Sequence, residues 1–401
     1  MQLYQRQPFW KTTVQRPTLA APPAPARFYD AMIVGSGVSG LLTGLALAQS
    51  GLKLIIIDAG SAGAGSSCAN TGLLQYASDI TLTDLIAQIG EQQAVRFYRL
   101  CRSAVDALET TVRTLPASSD FFRRPSLYCA SSLHDVKPLK KEYDTLLKYG
   151  FPVHYLEAAQ VKTLFGFEKR GAILTDGDAE INPQKFCWAM IEQLSTRYAV
   201  DFFEHTALLG VKENGGSLSV QTTAGNFQTS AAIYATGYAP TFFLNNAQAT
   251  INRTYAIATQ PVAGLATYWR DLTLIWETAR PYFYLRTTTD GRIIAGGYDE
   301  RGDQLPTPAH IAVQTKRLLR GINQYFPDIS VTAAAAWGAW FGESADNLPF
   351  IGRHPERHNL YCLLGYGGNG TVYSMIGAAI LRDLIVNGKS ADAAIVNPAR
   401  A

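Results

Sequence analysis

The chain has 401 residues, 47% of them apolar and 17% charged, and a formal net charge of +3. That balance excludes a disordered chain and offers no basic field for nucleic acid or an anionic membrane surface. At roughly 100–200 residues per domain, the length suits two or three domains with a sizeable core.

Residues 1–27 read as an N-terminal arm. They mix Arg, Lys, Gln and Pro without the apolar run of a signal peptide, and 20–26 (AAPPAPA) reads as extended surface chain. No later stretch reaches the ~18 uncharged apolar residues of a membrane span. Tyr29–Val34 reads as a buried parallel strand, 38–50 as a helix ended by Gly51, and Leu54–Ile57 as a second strand closed by Asp58. The spacing predicts helix over 82–115, strand over 121–130, and helices over 133–149 and 158–164. A further helix, 183–198, carries proline in its first turn. Strands follow at 201–211, 218–222 and 231–235, with a hairpin at Asn214-Gly215-Gly216. From 254 to 297 strands alternate with turns, 307–326 is helical, and the tail from Tyr361 reads strand, glycine loop, helix.

This order predicts an α/β plus α+β chain. A Rossmann-like nucleotide-binding domain (28–80, 151–245, 335–401) is interrupted by an antiparallel-sheet substrate domain (81–150, 246–334). The cysteines, Cys68, Cys101, Cys129, Cys187 and Cys362, form no CxxC pair and are odd in number. Reduced thiols in the cytoplasm are expected rather than disulfides or zinc. His354 and His358 flank Pro355, so no metal site is expected there.

Gly35-Ser36-Gly37-Val38-Ser39-Gly40 matches GxGxxG between a strand and a helix, with Asp58 about 20 residues on. Gly35 suits the tight turn, Gly37 the approach of backbone to a diphosphate, and Gly40 the packing of helix on strand. Asp58 suits a ribose diol. NAD and FAD share this fingerprint. Three later segments favour FAD: a small-residue loop at 63–75 (GAGSSCANTGLLQ), a strand ending in Thr-Gly at 233–237 (IYATG), and a glycine loop opening the last helix at 365–371 (GYGGNGT).

With these segments, 282–297 (YFYLRTTTDGRIIAGG) and 337–353 (WGAWFGESADNLPFIGR), the sequence resembles the FAD-dependent oxidoreductases related to D-amino-acid oxidase, glycine oxidase and monomeric sarcosine oxidase. The resemblance runs from Phe28 to the end. It implies an FAD site built from Gly35, Gly37, Val38, Ser39, Gly40, Asp58 and Ala59. Ser66, Ser67, Asn70, Thr71, Gly72 and Leu73 would lie beside the ring and diphosphate. Leu208 would meet the adenine side, with Ala235, Thr236, Gly237 and Gly342 nearby. Gly367, Gly368, Asn369, Gly370 and Thr371 would meet the pyrimidine end. Some members attach flavin through a cysteine or a histidine; Ala339 and Trp340, and Ala69 and Asn70, stand there, so non-covalent FAD is expected. Ala295 aligns with a lysine that promotes oxygen reaction in some relatives, which leaves the electron acceptor open.

The resemblance also implies hydride removal from a C–N bond of an amino acid or amine to flavin N5, then imine hydrolysis. For a substrate carboxylate the foremost candidate is Arg286, which shares a strand face with Tyr282 and Tyr284. The competing reading pairs Arg286 with an acid and puts the tyrosines in the core. Arg280 and Arg353 are lesser candidates. An NAD-linked dehydrogenase and a non-catalytic flavin-binding protein stay open as alternatives.

Overall fold

A computed structural model of the chain describes residues 3–18, 28–77, 79–238, 249–365 and 367–400. The surface chain expected at 20–26 lies outside these residues, as does Tyr366.

Tyr29–Val34 sits at the centre of the first sheet, between Gly225–Tyr234 and Leu54–Ile57. Leu360–Leu364 and Asp201–Phe203 extend it, and all these neighbours pair in parallel. Both faces are covered, which is why these strands are continuous apolar runs. One face packs Ile33 and Ile56 against Leu41, Leu45, Met190, Val372 and Ile376 of the helices Val38–Gln49, Pro183–Arg197 and Gly370–Val386. The other packs Met32, Ile55 and Tyr234 against Leu218 and Val220 of a hairpin, Leu208–Asn214 with Ser217–Thr222.

The second sheet is larger and mostly antiparallel. Its order is Tyr4–Gln5, Ala333–Ser344, Ala249–Thr259, Ile293–Arg301, Phe283–Thr287, Leu274–Glu277, Phe122–Cys129, Gly171–Glu180 and Leu73–Leu74, with Val153–Glu157 beside Gly171–Glu180. The helix Pro308–Tyr325 covers part of it, packing Ile311, Leu318 and Ile322 on Tyr255, Ile257 and Phe283. No helix among the described residues is long and apolar enough to cross a membrane.

Several expectations change. Val153–Glu157, Gly171–Glu180 and most of Ala333–Ser344 were expected in the first domain, yet they run in the second sheet. Gly171–Glu180 holds Asp176, Gly177 and Asp178, and Ala333–Ser344 opens on four alanines, so neither reads as strand by propensity. Pairing with long neighbours, Phe122–Cys129 and Ala249–Thr259, holds them extended. The helix expected over 82–115 breaks at Gly90, whose φ is +86°, into Leu82–Ile89 and Glu91–Thr114. Glu91–Thr114 was expected in the substrate domain, but it packs Phe97 on Tyr373 of the last helix. The strand expected over 201–211 splits into Asp201–Phe203 and Leu208–Asn214.

The N-terminal arm is anchored in the fold over residues 3–18. Tyr4 and Gln5 pair with Ala339 and Gly338, and Phe9 and Trp10 bury themselves among Ala69, Ala258, Ile294 and Trp337. Trp10 Nε1 donates to Asn70 O at 2.7 Å. Trp10→Ala removes this packing and its hydrogen bond together. It should lower stability by about 3–5 kcal/mol, read by denaturant unfolding. An unchanged midpoint would place Trp10 outside the core.

Candidate active site

A cleft enclosing about 360 Å³ opens where the carboxyl ends of the parallel strands face the second sheet. Open α/β sheets bind ligands at such ends. Three strand ends converge there. Gly35 N donates to Ile57 O at 2.8 Å, and Ala235 N donates to Val34 O at 2.9 Å. Gly35 has φ +107°, and a Cβ there would sit 2.3 Å from Ala235 O. A Cβ at Gly40 would sit 1.9 Å from Gly35 O, so the helix presses on the turn that precedes it. Asp58 organises the same turn: Oδ2 accepts from Ser36 N (2.8 Å) and Ser36 Oγ (2.6 Å), and Oδ1 from Gly60 N (2.8 Å).

The small-residue loop closes over the helix start, where Val38 N donates to Ser67 Oγ at 2.9 Å. Beyond it, four successive carbonyls are held by donors from elsewhere in the chain. Ala69 O accepts from Trp337 Nε1 (2.9 Å), Asn70 O from Trp10 Nε1 (2.7 Å), Thr71 O from Arg286 Nε (2.8 Å), and Gly72 O from Ile181 N (2.9 Å). The late glycine loop is tied down likewise. Gly367 N donates to Gly342 O at 2.8 Å, and Asn369 Nδ2 to Gln75 O at 2.6 Å.

The residues expected to hold FAD separate into two groups. Gly35, Gly37, Val38, Ser39, Asp58, Ala59, Ser66, Ser67, Asn70, Thr71, Leu73, Leu208, Ala235, Thr236, Gly237, Gly367, Gly368, Asn369, Gly370 and Thr371 line the cleft. Gly40, Gly72 and Gly342 do not; each supports a lining residue from behind. The donor set fits a dinucleotide. A helix N-terminus and an acid stand at adjacent strand ends, and Thr236 Oγ1 and Trp340 Nε1 are buried on the lining without a hydrogen-bond partner. Buried polar groups are ordinarily satisfied, so both await a ligand atom.

Arg286 does not face the cleft, which corrects the foremost substrate candidate. It is 2% exposed, and its guanidinium bonds Thr71 O and Ile181 O, lies over Trp10, and approaches Glu180 at 3.3 Å. Glu180 also meets Arg124 at 3.0 Å. Strand alternation put Arg286 on the face of Tyr282 and Tyr284, but the 70–72 loop covers its end of that face. Tyr282 and Tyr284 do line the cleft, and burial pushes both phenols above their usual range.

Arg280 is the only lysine or arginine lining the cleft among the described residues. It lies over the Tyr282 ring, its N–H groups reach backbone carbonyls at 3.2–3.5 Å, and the Tyr128 phenol is a further side-chain partner. Trp276, stacked on Tyr128 at 3.8 Å, and Asp79 line this end too and were missed. Neither belongs to a motif; only pairing in the second sheet and the turn before Leu82–Ile89 bring them in. Arg353 and Ala295 lie off the cleft. Cys68 is fully buried behind it, with its thiol pushed to about 11 by burial.

The family model described as FAD dependent oxidoreductase matches residues 30–384. The chain belongs to this family. It is therefore an FAD-dependent oxidoreductase, and the NAD-linked reading falls. Glycine oxidase of Geobacillus kaustophilus (strain HTA426) is 23% identical over 368 residues, 89% of this chain and 93% of its own length. Glycine oxidase of Bacillus subtilis (strain 168) is 23% identical over 370 residues, 90% and 94% of the two chains. Among solved structures, Geobacillus kaustophilus glycine oxidase superposes with a TM-score of 0.80 at 20% identity, covering 94% of this chain and 100% of that one. The L-proline dehydrogenase of P. horikoshii gives 0.77 at 19%, covering 94% and 98%. These superpositions establish the shared fold.

Two substitutions test this FAD dependent oxidoreductase's cleft. Gly35→Ala should yield colourless protein that takes up no FAD, while Gly210→Ala, with open space around it, should load normally; flavin absorbance reads both. Arg286→Ala leaves buried Glu180 with Arg124 alone and frees the buried Thr71 and Ile181 carbonyls. It should cost about 3–5 kcal/mol of stability, read by denaturant unfolding, without a selective rise in KM for acidic substrates.

Proposed function

We propose that the protein oxidises the C–N bond of a small amino acid or amine and that it holds FAD without a covalent link. Bound FAD supplies the hydride acceptor. The observation that carries the reading is the division of the cleft. Its glycine-lined end matches the family's cofactor, and its other end is walled by Trp276, Tyr282, Tyr284, Trp340 and Phe341 with a single guanidinium, Arg280.

In this reading the Gly37–Ser39 turn would face the diphosphate, whose charge the following helix stabilises. Asp58 has used three of its roughly four acceptor directions on Ser36 and Gly60 and keeps one for a ribose hydroxyl. No sulfur or imidazole on the lining offers a flavin attachment point among the described residues. The aromatic wall excludes water and confines the substrate, which lowers the entropic cost of aligning its C–H bond. Arg280, lacking an ion pair among the described residues, would meet a substrate carboxylate, the role first given to Arg286. The relatives named glycine oxidase support the amino-acid class.

Anaerobic mixing of the purified flavoprotein with amino acids, N-methylated amino acids and amines should bleach the oxidised flavin band with at least one compound. If none bleaches it while dithionite does, the reading fails. Arg280→Ala should raise KM for a carboxylate substrate about tenfold or more and affect kcat less.

A further inference from the structure

A second chamber of about 370 Å³ adjoins the cleft, and Arg280 and Tyr282 line both. Its inner wall carries Asn252, Asp299 and Glu343. Asp79 stands on the cleft side of the same wall. Asp299, Glu343 and Asp79 form no ion pair among the described residues. Asp299 Oδ1 is buried and accepts no hydrogen bond. Thr254 faces the Asp299 carboxylate, Glu343 accepts from Asn252 Nδ2, and Asp79 accepts from Gly368 N. Arg280 and Arg301, both exposed, are the nearby cations. Glu300, also on the lining, is already held by Tyr255, Gln314 and His310.

Buried carboxylates are ordinarily paired with a cation. Here three half-buried ones stand without an ion pair among the described residues, and burial pushes each above the usual carboxylate range, Asp299 to about 7, with acidic neighbours adding to this at Asp299 and Glu343. No group of three metal-ligating side chains close enough to hold an ion occurs among the described residues, so the arrangement lacks a metal's ligand set. An organic ammonium suits it: it needs one or two carboxylates, an amide oxygen such as that of Asn252, and an aromatic face such as Tyr282.

Resting on the proposed C–N oxidation, we infer that this chamber receives a second ammonium group of the substrate, beyond the bond that is oxidised. The substrate class is then a diamine or a basic amino acid. A neutral homologue of the same length leaves Asp299 and Glu343 unpaired and binds more weakly.

Calorimetric titration of the FAD-loaded protein, kept anaerobic, compares 1,5-diaminopentane with 1-aminopentane and lysine with norleucine in both enantiomers. Flavin bleaching is followed in parallel. In at least one pair the dication or basic amino acid should bind about tenfold tighter. Asp299→Asn and Glu343→Gln, each retaining FAD absorbance, should bring that ratio to within about threefold of unity. Equal affinity within both pairs overturns the inference, and so does a preference that survives both substitutions. A preference that the substitutions abolish, without bleaching by any compound, upholds the chamber while the oxidation reading falls.

Discussion

The carbonyl groups of four successive residues, Ala69 to Gly72, are each held by a donor from a different part of the chain. This anchoring joins the two sheets at the cleft. Trp10 comes from the N-terminal segment, Trp337 and Arg286 from the second sheet, and Ile181 from the end of Gly171–Glu180. A loop of small residues has little side-chain packing of its own. Its shape depends on these external donors, and the glycine-lined end of the cleft depends on its shape. The burial of Arg286 follows. Its guanidinium acts as a clamp, which a side chain exposed to substrate could not do, because the same N–H groups would then exchange between carbonyls and ligand.

The second constraint is the contact between Gly35 and Ala235. The strands Tyr29–Val34 and Gly225–Tyr234 run side by side in parallel, so their ends reach the same level. Absence of a Cβ at Gly35 lets those ends touch, and Thr236 is thereby carried to the lining. The Val38–Gln49 helix starts from that level. Its first turn therefore faces the cleft, where its dipole is useful to an anion. The hydrogen bond between Ser39 and Ser374 then ties this helix to the last one, which descends from the other glycine loop.

The far end of the cleft obeys a different balance. Aromatic rings displace water and lower the local dielectric, which strengthens every charge interaction nearby. Against that background Arg280, Asp79, Asp299 and Glu343 sit close together without forming ion pairs among the described residues. Groups left uncompensated in this way mark the part of the cavity where a charged ligand contributes most.

The nucleotide-binding half was legible in the residues themselves. Tyr29–Val34, the glycine turn, Leu54–Ile57 and Asp58 are encoded by local apolar runs and by spacing, and local stereochemistry needs nothing from elsewhere in the chain. The same holds for the small-residue loop and the late glycine loop, apart from the supporting places of Gly40, Gly72 and Gly342. The strand Gly171–Glu180 was not legible, because its Asp and Gly content hides an extension that comes from pairing. Nor was the inward path of residues 3–18, whose Trp10 fills a space made by residues some 60 to 330 positions away. Arg286 and Arg280 show the limit most directly. Both are arginines near tyrosines on neighbouring positions, and alternation alone favours the first. Only the folded chain separates them: Trp10 and the Thr71 carbonyl cover one and leave the other on the cavity wall, since burial is a property of whatever the rest of the chain places on top.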